Sequence, residues 1–253
     1  MRRSTFIRLP VVGLVLLAMP SLARASAAGR ERVLIVLTNT AKVPGTERAT
    51  GVWASEYTDP WRVFSEAGYE VHVASPRGGI GPIDPRSGSA DSVKRIPAAW
   101  AAMQATRPLA ELKSGDYAAV FLSGGHGTMW DFPDDPNLRR IVEETLGRSA
   151  PVGAVCHGPA GLLSARKADG TPWVAGRRVN GFTNLEEAAA GMKSVVPFLL
   201  EDRLRALGGR FESAGVFQRH VAVDGALVTG QNPASSTAVA EAMLELLRKR
   251  RTP

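Results

Sequence analysis

The chain has 253 residues, 44% hydrophobic and 22% charged, with 31 Lys and Arg against 24 Asp and Glu and a formal balance of +7. This composition suits a globular chain with one large core and excludes collagen-like, coiled-coil and low-complexity architectures. The basic excess is weak support for a nucleic-acid partner, because Arg2, Arg3, Arg8 and Arg24 lie in the first 27 residues and their removal takes the balance from +7 to +3.

Those first 27 residues read as a secretory signal peptide. Arg2, Arg3 and Arg8 precede the apolar run "LPVVGLVLLAMPSLA", and "ARASA" places small residues at Ala25 and Ala27 for cleavage. The run is shorter than the ~20 residues of a membrane span and is broken by Pro10 and Pro20. The expectation is a processed domain over 28–253, exported to the periplasm or secreted, with no stable membrane insertion after cleavage.

Four apolar segments then read as buried parallel strands: "RVLIVLT" (32–38), "YEVHVAS" (69–75), "YAAVFLS" (117–123) and "APVGAVC" (150–156). Between and after them, "SEYTDPWRVFSEAG" (55–68), "PNLRRIVEETLGR" (136–148) and "GPAGLLSARKA" (158–168) carry apolar residues at helical spacing. Further on, "VPFLLEDRLRALGG" predicts a helix, "HVAVDG" and "ALVTG" predict a hairpin through Asp224-Gly225, and "ASSTAVAEAMLELLRKRR" predicts the last helix. Strand followed by helix, repeated, predicts a doubly wound, mostly parallel α/β sheet with helices on both faces, in one domain. Residues 76–97, rich in Gly, Pro, Ser and Asp, read as a long loop bordering a site.

Cys156 is the sole cysteine, so it has no intramolecular disulfide partner, and no Cys/His spacing suits structural zinc. It stands at the end of a predicted strand, in "AVCHG", where the chain turns sharply into a helix. That is the setting of a nucleophile elbow, and a helix N-terminus there lowers a thiol's pKa. The alternative is a buried packing residue. "SGGHG" (123–127) follows another strand, making Gly124 and Gly125 candidate oxyanion donors, while His126 reads equally well as a solvated turn residue. The candidate bases are Glu56, Glu186 and Glu187, each near a helix start where a carboxylate is commonly a cap.

Taken together, "EAGYEVHVASPRGG", "IDPRS", "FLSGGHGTMWDFPDDP", "AVCHGPAGLL", "NGFTNLEE" and "VTGQNPASS" resemble the ThiJ/PfpI superfamily, which has the flavodoxin-like, class I glutamine-amidotransferase-like fold, and within it the branch of glyoxalase III and the heat-shock-protein-31 chaperones. The resemblance runs from about residue 32 to about residue 248. It implies that Cys156 is the nucleophile, His157 its partner, Glu56 the carboxyl group on the sulfur and Glu187 the residue orienting the histidine, with Gly125 and the His157 amide at the oxyanion site. It also implies a reaction without metal or cofactor on a small aldehyde such as methylglyoxal, or on a glycated amine, and a homodimer as the common state. Other activities within the same superfamily are holdase chaperone, redox sensor, amidohydrolase, isonitrile hydratase and peptidase.

Overall fold

The computed structural model describes Met1 and residues 30–88 and 90–251. The expected signal peptide, beyond Met1, lies outside the described residues. Among the described residues there are nine strands, β1 (Arg32–Val36), β2 (Glu70–Ser75), β3 (Arg107–Pro108), β4 (Ala119–Leu122), β5 (Val152–Val155), β6 (Arg178–Val179), β7 (Arg210–Phe211), β8 (Val221–Asp224) and β9 (Leu227–Gly230). The helices are α1 (Ala54–Glu66), α2 (Asp91–Lys94), α3 (Pro97–Gln104), α4 (Thr128–Asp131), α5 (Pro136–Gly147), α6 (Asn184–Ala189), α7 (Leu200–Ala206) and α8 (Ser236–Arg251).

Seven strands form one sheet in the order β3-β2-β1-β4-β5-β9-β8, parallel except for the β8–β9 hairpin. Strand β1 explains the layering: Val33 and Ile35 pack with Tyr57 and Phe64 of α1 and Val239 and Met243 of α8, while Leu34 and Val36 pack with Leu138 and Ile141 of α5. Side chains alternate across a strand, so a strand covered on both faces is apolar at every position. The strand order reverses between β1 and β4, and ligands of such sheets bind beyond the carboxyl ends of the strands beside that reversal.

The expected strands and the helices over α1, α5, α7 and α8 form, and the hairpin closes with Asp224 opposite Leu227 and Gly225 and Ala226 in the turn. Two expectations fail. After Cys156 there is only a short 3-10 turn, Gly158–Leu162, where a helix over 158–168 was expected, because Gly158, Pro159 and Gly161 are poor helix formers selected by close packing. A Cβ on Gly158 would collide with the Leu122 carbonyl. The 76–97 stretch is also more than a loop, for Asp84 caps a 3-10 turn, Pro85–Ser87, and α2 and the start of α3 follow. The two-residue strands β6 and β7 pair in a small separate sheet, too short for any periodic signal.

Candidate active site

Cys156 follows β5 with φ +59, a left-handed backbone that costs a non-glycine residue on the order of 1–3 kcal/mol. The conformation is pinned from both sides: its N–H donates to the Gly230 carbonyl at 2.9 Å, and its carbonyl accepts from the Phe182 N–H at 2.8 Å. The side chain is 3% exposed and borders a cavity of about 280 Å³ walled by Trp53, Phe182, Phe217 and Pro233 together with Arg86, Gly125, His126 and Ala190. Larger cavities lie elsewhere; one, lined by Arg30, Arg32, Tyr117 and Ala150, is at the opposite end of the sheet and holds no nucleophile.

His157 is fully buried, with Nδ1 3.2 Å from Cys156 Sγ and Nε2 2.8 Å from Glu187 Oε2. A carboxylate only accepts, so Nε2 carries the proton and Nδ1 presents its lone pair to the thiol. Glu187 is held ionised. Burial alone pushes its carboxyl up, but the His157 and His126 imidazoles outweigh that and bring it well below the usual range.

The capping box of α6 separates the two adjacent glutamates. The Thr183 hydroxyl accepts from the Glu186 N–H, while Glu186 Oε2 accepts from the Thr183 N–H at 2.9 Å. Glu186 Oε1 accepts from Phe217 N, Gln231 Nε2 and Asn232 Nδ2, so this residue ties the start of α6 to two loops, and Glu187 alone faces the imidazoles.

His126 is no solvated turn residue. It is buried, its Nε2–H donates to Glu187 Oε1 at 2.8 Å, and its Nδ1 accepts from Arg86 Nη2 at 3.0 Å. Both nitrogens are thereby committed to the neutral tautomer, and burial, reinforced by His157 and Arg86, holds its pKa down to about 4. Arg86 is fixed by Asp84, whose side chain is fully buried, through contacts at 3.0 and 2.5 Å. Sequence reasoning missed Asp84, Arg86 and the placement of His126; the "IDPRS" and "SGGHG" segments marked the stretches without revealing that they meet.

Glu56, in the first turn of α1, is fully buried with its carboxyl against the Cys156 thiol and the Gly124 N–H, although neither oxygen completes a well-aligned hydrogen bond. Burial pushes its pKa well up, so it keeps its proton. The thiol is pushed up too, by burial first and then by Glu56, while the Gly125 N–H aimed at the sulfur acts in the opposite direction. This corrects the expectation that a helix N-terminus lowers the thiol pKa: no helix of useful length follows, and an acid faces the sulfur. At rest the sulfur is a protonated thiol facing His157 Nδ1.

Gly124 and Gly125 have different tasks. A Cβ on Gly124 would overlap Glu56 Oε2 and the Val155 carbonyl, so only glycine lets Glu56 reach the sulfur; its N–H is turned toward the Glu56 carboxyl. Gly125, at φ +104, lines the cavity and turns its N–H toward the sulfur, as an oxyanion donor must. His126, His157 and Glu187 also place three potential metal-ligand atoms within 4.8 Å of one another, but the same atoms form the two imidazole–carboxylate hydrogen bonds.

Similarity to known proteins agrees with this geometry. The glutathione-independent glyoxalase HSP31 of Saccharomyces cerevisiae is 31% identical over 242 residues, covering 86% of this chain and 98% of the relative. The crystal structure of glyoxalase III from Candida albicans superposes with a TM-score of 0.77 at 28% identity, over 85% of this chain and 97% of that one. The Rapid Encystment Protein 24 KDa of Francisella tularensis superposes with a TM-score of 0.82 at 33% identity, over 86% and 99%. The DJ-1/PfpI family profile matches residues 48–246, a span that contains every residue of the cysteine site, and the chain belongs to that family.

Proposed function

We propose that this protein is a glutathione-independent glyoxalase that converts small 2-oxoaldehydes to 2-hydroxy acids, with Cys156 as nucleophile. The observation that carries the reading is the Sγ–Nδ1 and Nε2–Oε2 relay of Cys156, His157 and Glu187 beside a largely apolar cavity. As the sulfur adds to the aldehyde carbon, its proton passes to His157 Nδ1, and Glu187 stabilises the imidazolium. The Gly125 N–H, with the His157 amide, receives the oxygen that gains charge.

The resulting hemithioacetal loses its C1 proton to a base and regains one at C2 through an enediol. This gives a thioester of the 2-hydroxy acid, and water releases the acid and restores the thiol. His157 and the neutral Glu56 carboxyl, which offers a proton beside the sulfur, are the groups placed for these transfers; each is worth about 10²–10⁴ in rate. The hemiaminal of a glycated amine offers the same carbon to the sulfur, so deglycase chemistry belongs to the same proposal. The glyoxalase names of the relatives support this choice.

The test is lactate production from methylglyoxal without glutathione. Wild type produces lactate and Cys156→Ala does not; a wild-type protein that makes none overturns the reading. A holdase would need broad apolar surface, whereas the exposed large apolar side chains among the described residues, besides Met1, are Ile80, Leu185, Val216, Phe217 and Val223. We also read residues 1–27 as a cleaved export signal. N-terminal sequencing of the processed protein from cells is expected to begin near residue 28.

A further inference from the structure

The cavity beside Cys156 is larger than methylglyoxal needs, and its surface is almost wholly apolar. At about 280 Å³ it is nearly twice the ~150 Å³ of apolar cavity that holds a benzene ring. An aromatic row runs from the relay to the surface. The His157 and Phe182 rings are tilted with centroids 4.5 Å apart, and Phe182 and Phe217 follow at 6.1 Å. Trp53, Ala190 and Pro233 complete the apolar wall. Phe217 is the exposed member of this wall, 52% accessible, and holds φ +56, a left-handed backbone that a bulky residue rarely adopts. Its N–H donates to Glu186 Oε1 at 2.8 Å, which anchors the turn. The Phe217 ring belongs to neither hydrophobic core, so core packing does not explain why this strained position carries an aromatic residue.

We propose that the cavity selects 2-oxoaldehydes with an aromatic substituent, arylglyoxals, and that Phe217 is the residue that sets this preference. This rests on the proposed function for the chemistry at Cys156 and names the substrate class of that site. The aryl ring lies against Phe182 and Phe217, where offset or edge-to-face contacts add to the gain from removing apolar surface from water; a methyl group leaves most of the wall in contact with water. The covalent steps are unchanged. The sulfur bonds to the aldehyde carbon, that carbon gives up its hydrogen as a proton, the neighbouring carbon gains one, and water cleaves the thioester to a 2-aryl-2-hydroxy acid and free thiol. A single methylene in a hydrophobic pocket is worth about 10–200-fold in kcat/KM, so a ring in place of a methyl group is expected to favour phenylglyoxal over methylglyoxal at least tenfold.

The experiment measures binding and then turnover on the full chain. Cys156 is the sole cysteine, so the mass gain from iodoacetamide reports this site directly. Acetophenone and acetone, which differ by a phenyl for a methyl group and lack the aldehyde, are added as protectants. In wild type the concentration that halves the alkylation rate is expected to be at least tenfold lower for acetophenone, and a smaller difference overturns the substrate class. That ratio is expected to fall at least fivefold in Phe217→Asn, because Asn tolerates φ +56 and keeps the N–H on Glu186; a smaller fall overturns the role assigned to Phe217. If neither that variant nor Phe217→Gly folds, the wild-type ratio decides. In turnover, wild type converts phenylglyoxal to mandelate with kcat/KM at least tenfold above that for methylglyoxal to lactate, and lactate formation without that preference overturns the proposal. Selective protection by acetophenone with neither acid formed supports the aryl pocket and sinks the glyoxalase reading alone, so the two failures are separate results.

Discussion

Replacing Glu187 by Gln exchanges one acceptor oxygen for a donor, and the two imidazoles that share this carboxylate do not tolerate the exchange equally. Each now donates an Nε2–H to one of its oxygens, at 2.8 Å. A glutamine can accept from only one of them, and its NH₂ meets the other N–H head-on unless that imidazole changes tautomer. His126 resists the change, because its Nδ1 must remain free to accept from Arg86 Nη2 at 3.0 Å. His157 has only the thiol at Nδ1, so it is the ring that switches, and its proton moves to the nitrogen that faces Cys156. An unmatched buried donor costs about 1–3 kcal/mol, which sets the bias toward the wrong tautomer. With the lost charge behind the imidazolium added, kcat/KM for methylglyoxal is expected to drop by roughly 10³–10⁴ in Glu187→Gln, the scale on which a triad with the wrong tautomer fails. Adding His126→Leu frees the glutamine to turn its carbonyl to His157 and recovers at least tenfold of the loss. Steady-state kinetics on the two variants settle the matter. A single variant within tenfold of wild type, or a double variant no better than the single one, refutes the account of His126 and Glu187.

The same site fixes three further expectations. His126 has a folded pKa of about 4 against an unfolded value near 6.5, so the unfolded chain binds the extra proton between them. Stability from this group is full above about pH 6.5 and is lost as pH falls toward 4, by on the order of 3 kcal/mol; His126→Leu flattens denaturant-derived stability over that window, and an unchanged slope contradicts the assignment. Glu56 is shifted the other way: the folded chain keeps the proton that the unfolded chain sheds above about 4.5, so burying this acid costs stability as pH rises. Glu56→Gln removes that cost, and its stability relative to wild type is expected to rise from pH 4 to pH 8, as thermal unfolding at the two pH values measures; a relative stability independent of pH counts against a protonated Glu56. Gly124→Ala places a methyl group on Glu56 Oε2 and the Val155 carbonyl and is expected to destabilise by about 1–3 kcal/mol, a claim that a variant as stable as wild type sinks.

Much of this was legible in the chain because the sheet is covered on both faces. Segments such as "RVLIV" and "AVFL" cannot alternate apolar with polar, and their continuous apolar character announces parallel strands. Cys156, His157, Glu56 and Glu187 were named through short motifs at the ends of such strands and at helix starts, and the fold brings all four together. The choice between Glu186 and Glu187 was illegible because both are buried acids in the first turn of α6; only the hydrogen bonds of Thr183, Gln231 and Asn232 separate them. Arg86 was hidden for a related reason. Its partners, Asp84 and His126, are 2 and 40 residues away, and the short turn that carries it has no period to read. The stretch after Cys156 misled for a physical reason: apolar spacing in "GPAGLL" reflects packing against Leu122 and Leu138, which a 3-10 turn serves as well as a helix.

The second histidine answers a problem that a buried triad creates. Glu187 is ionised and almost wholly enclosed, and one imidazole N–H leaves its other oxygen without a donor, at a cost comparable to a lost charge-assisted hydrogen bond. A cationic donor at that position would satisfy the oxygen but neutralise the carboxylate, and Glu187 would then hold the His157 imidazolium less well at the moment the thiol gives up its proton. A neutral imidazole supplies the N–H without the charge. It keeps that form because Arg86 donates to its far nitrogen, and Arg86 is in turn offset by Asp84. The charge available to stabilise imidazolium at His157 is therefore preserved by three residues that never touch the sulfur, which is why the recovery of Glu187→Gln by a change at His126 is the sharpest test of the site.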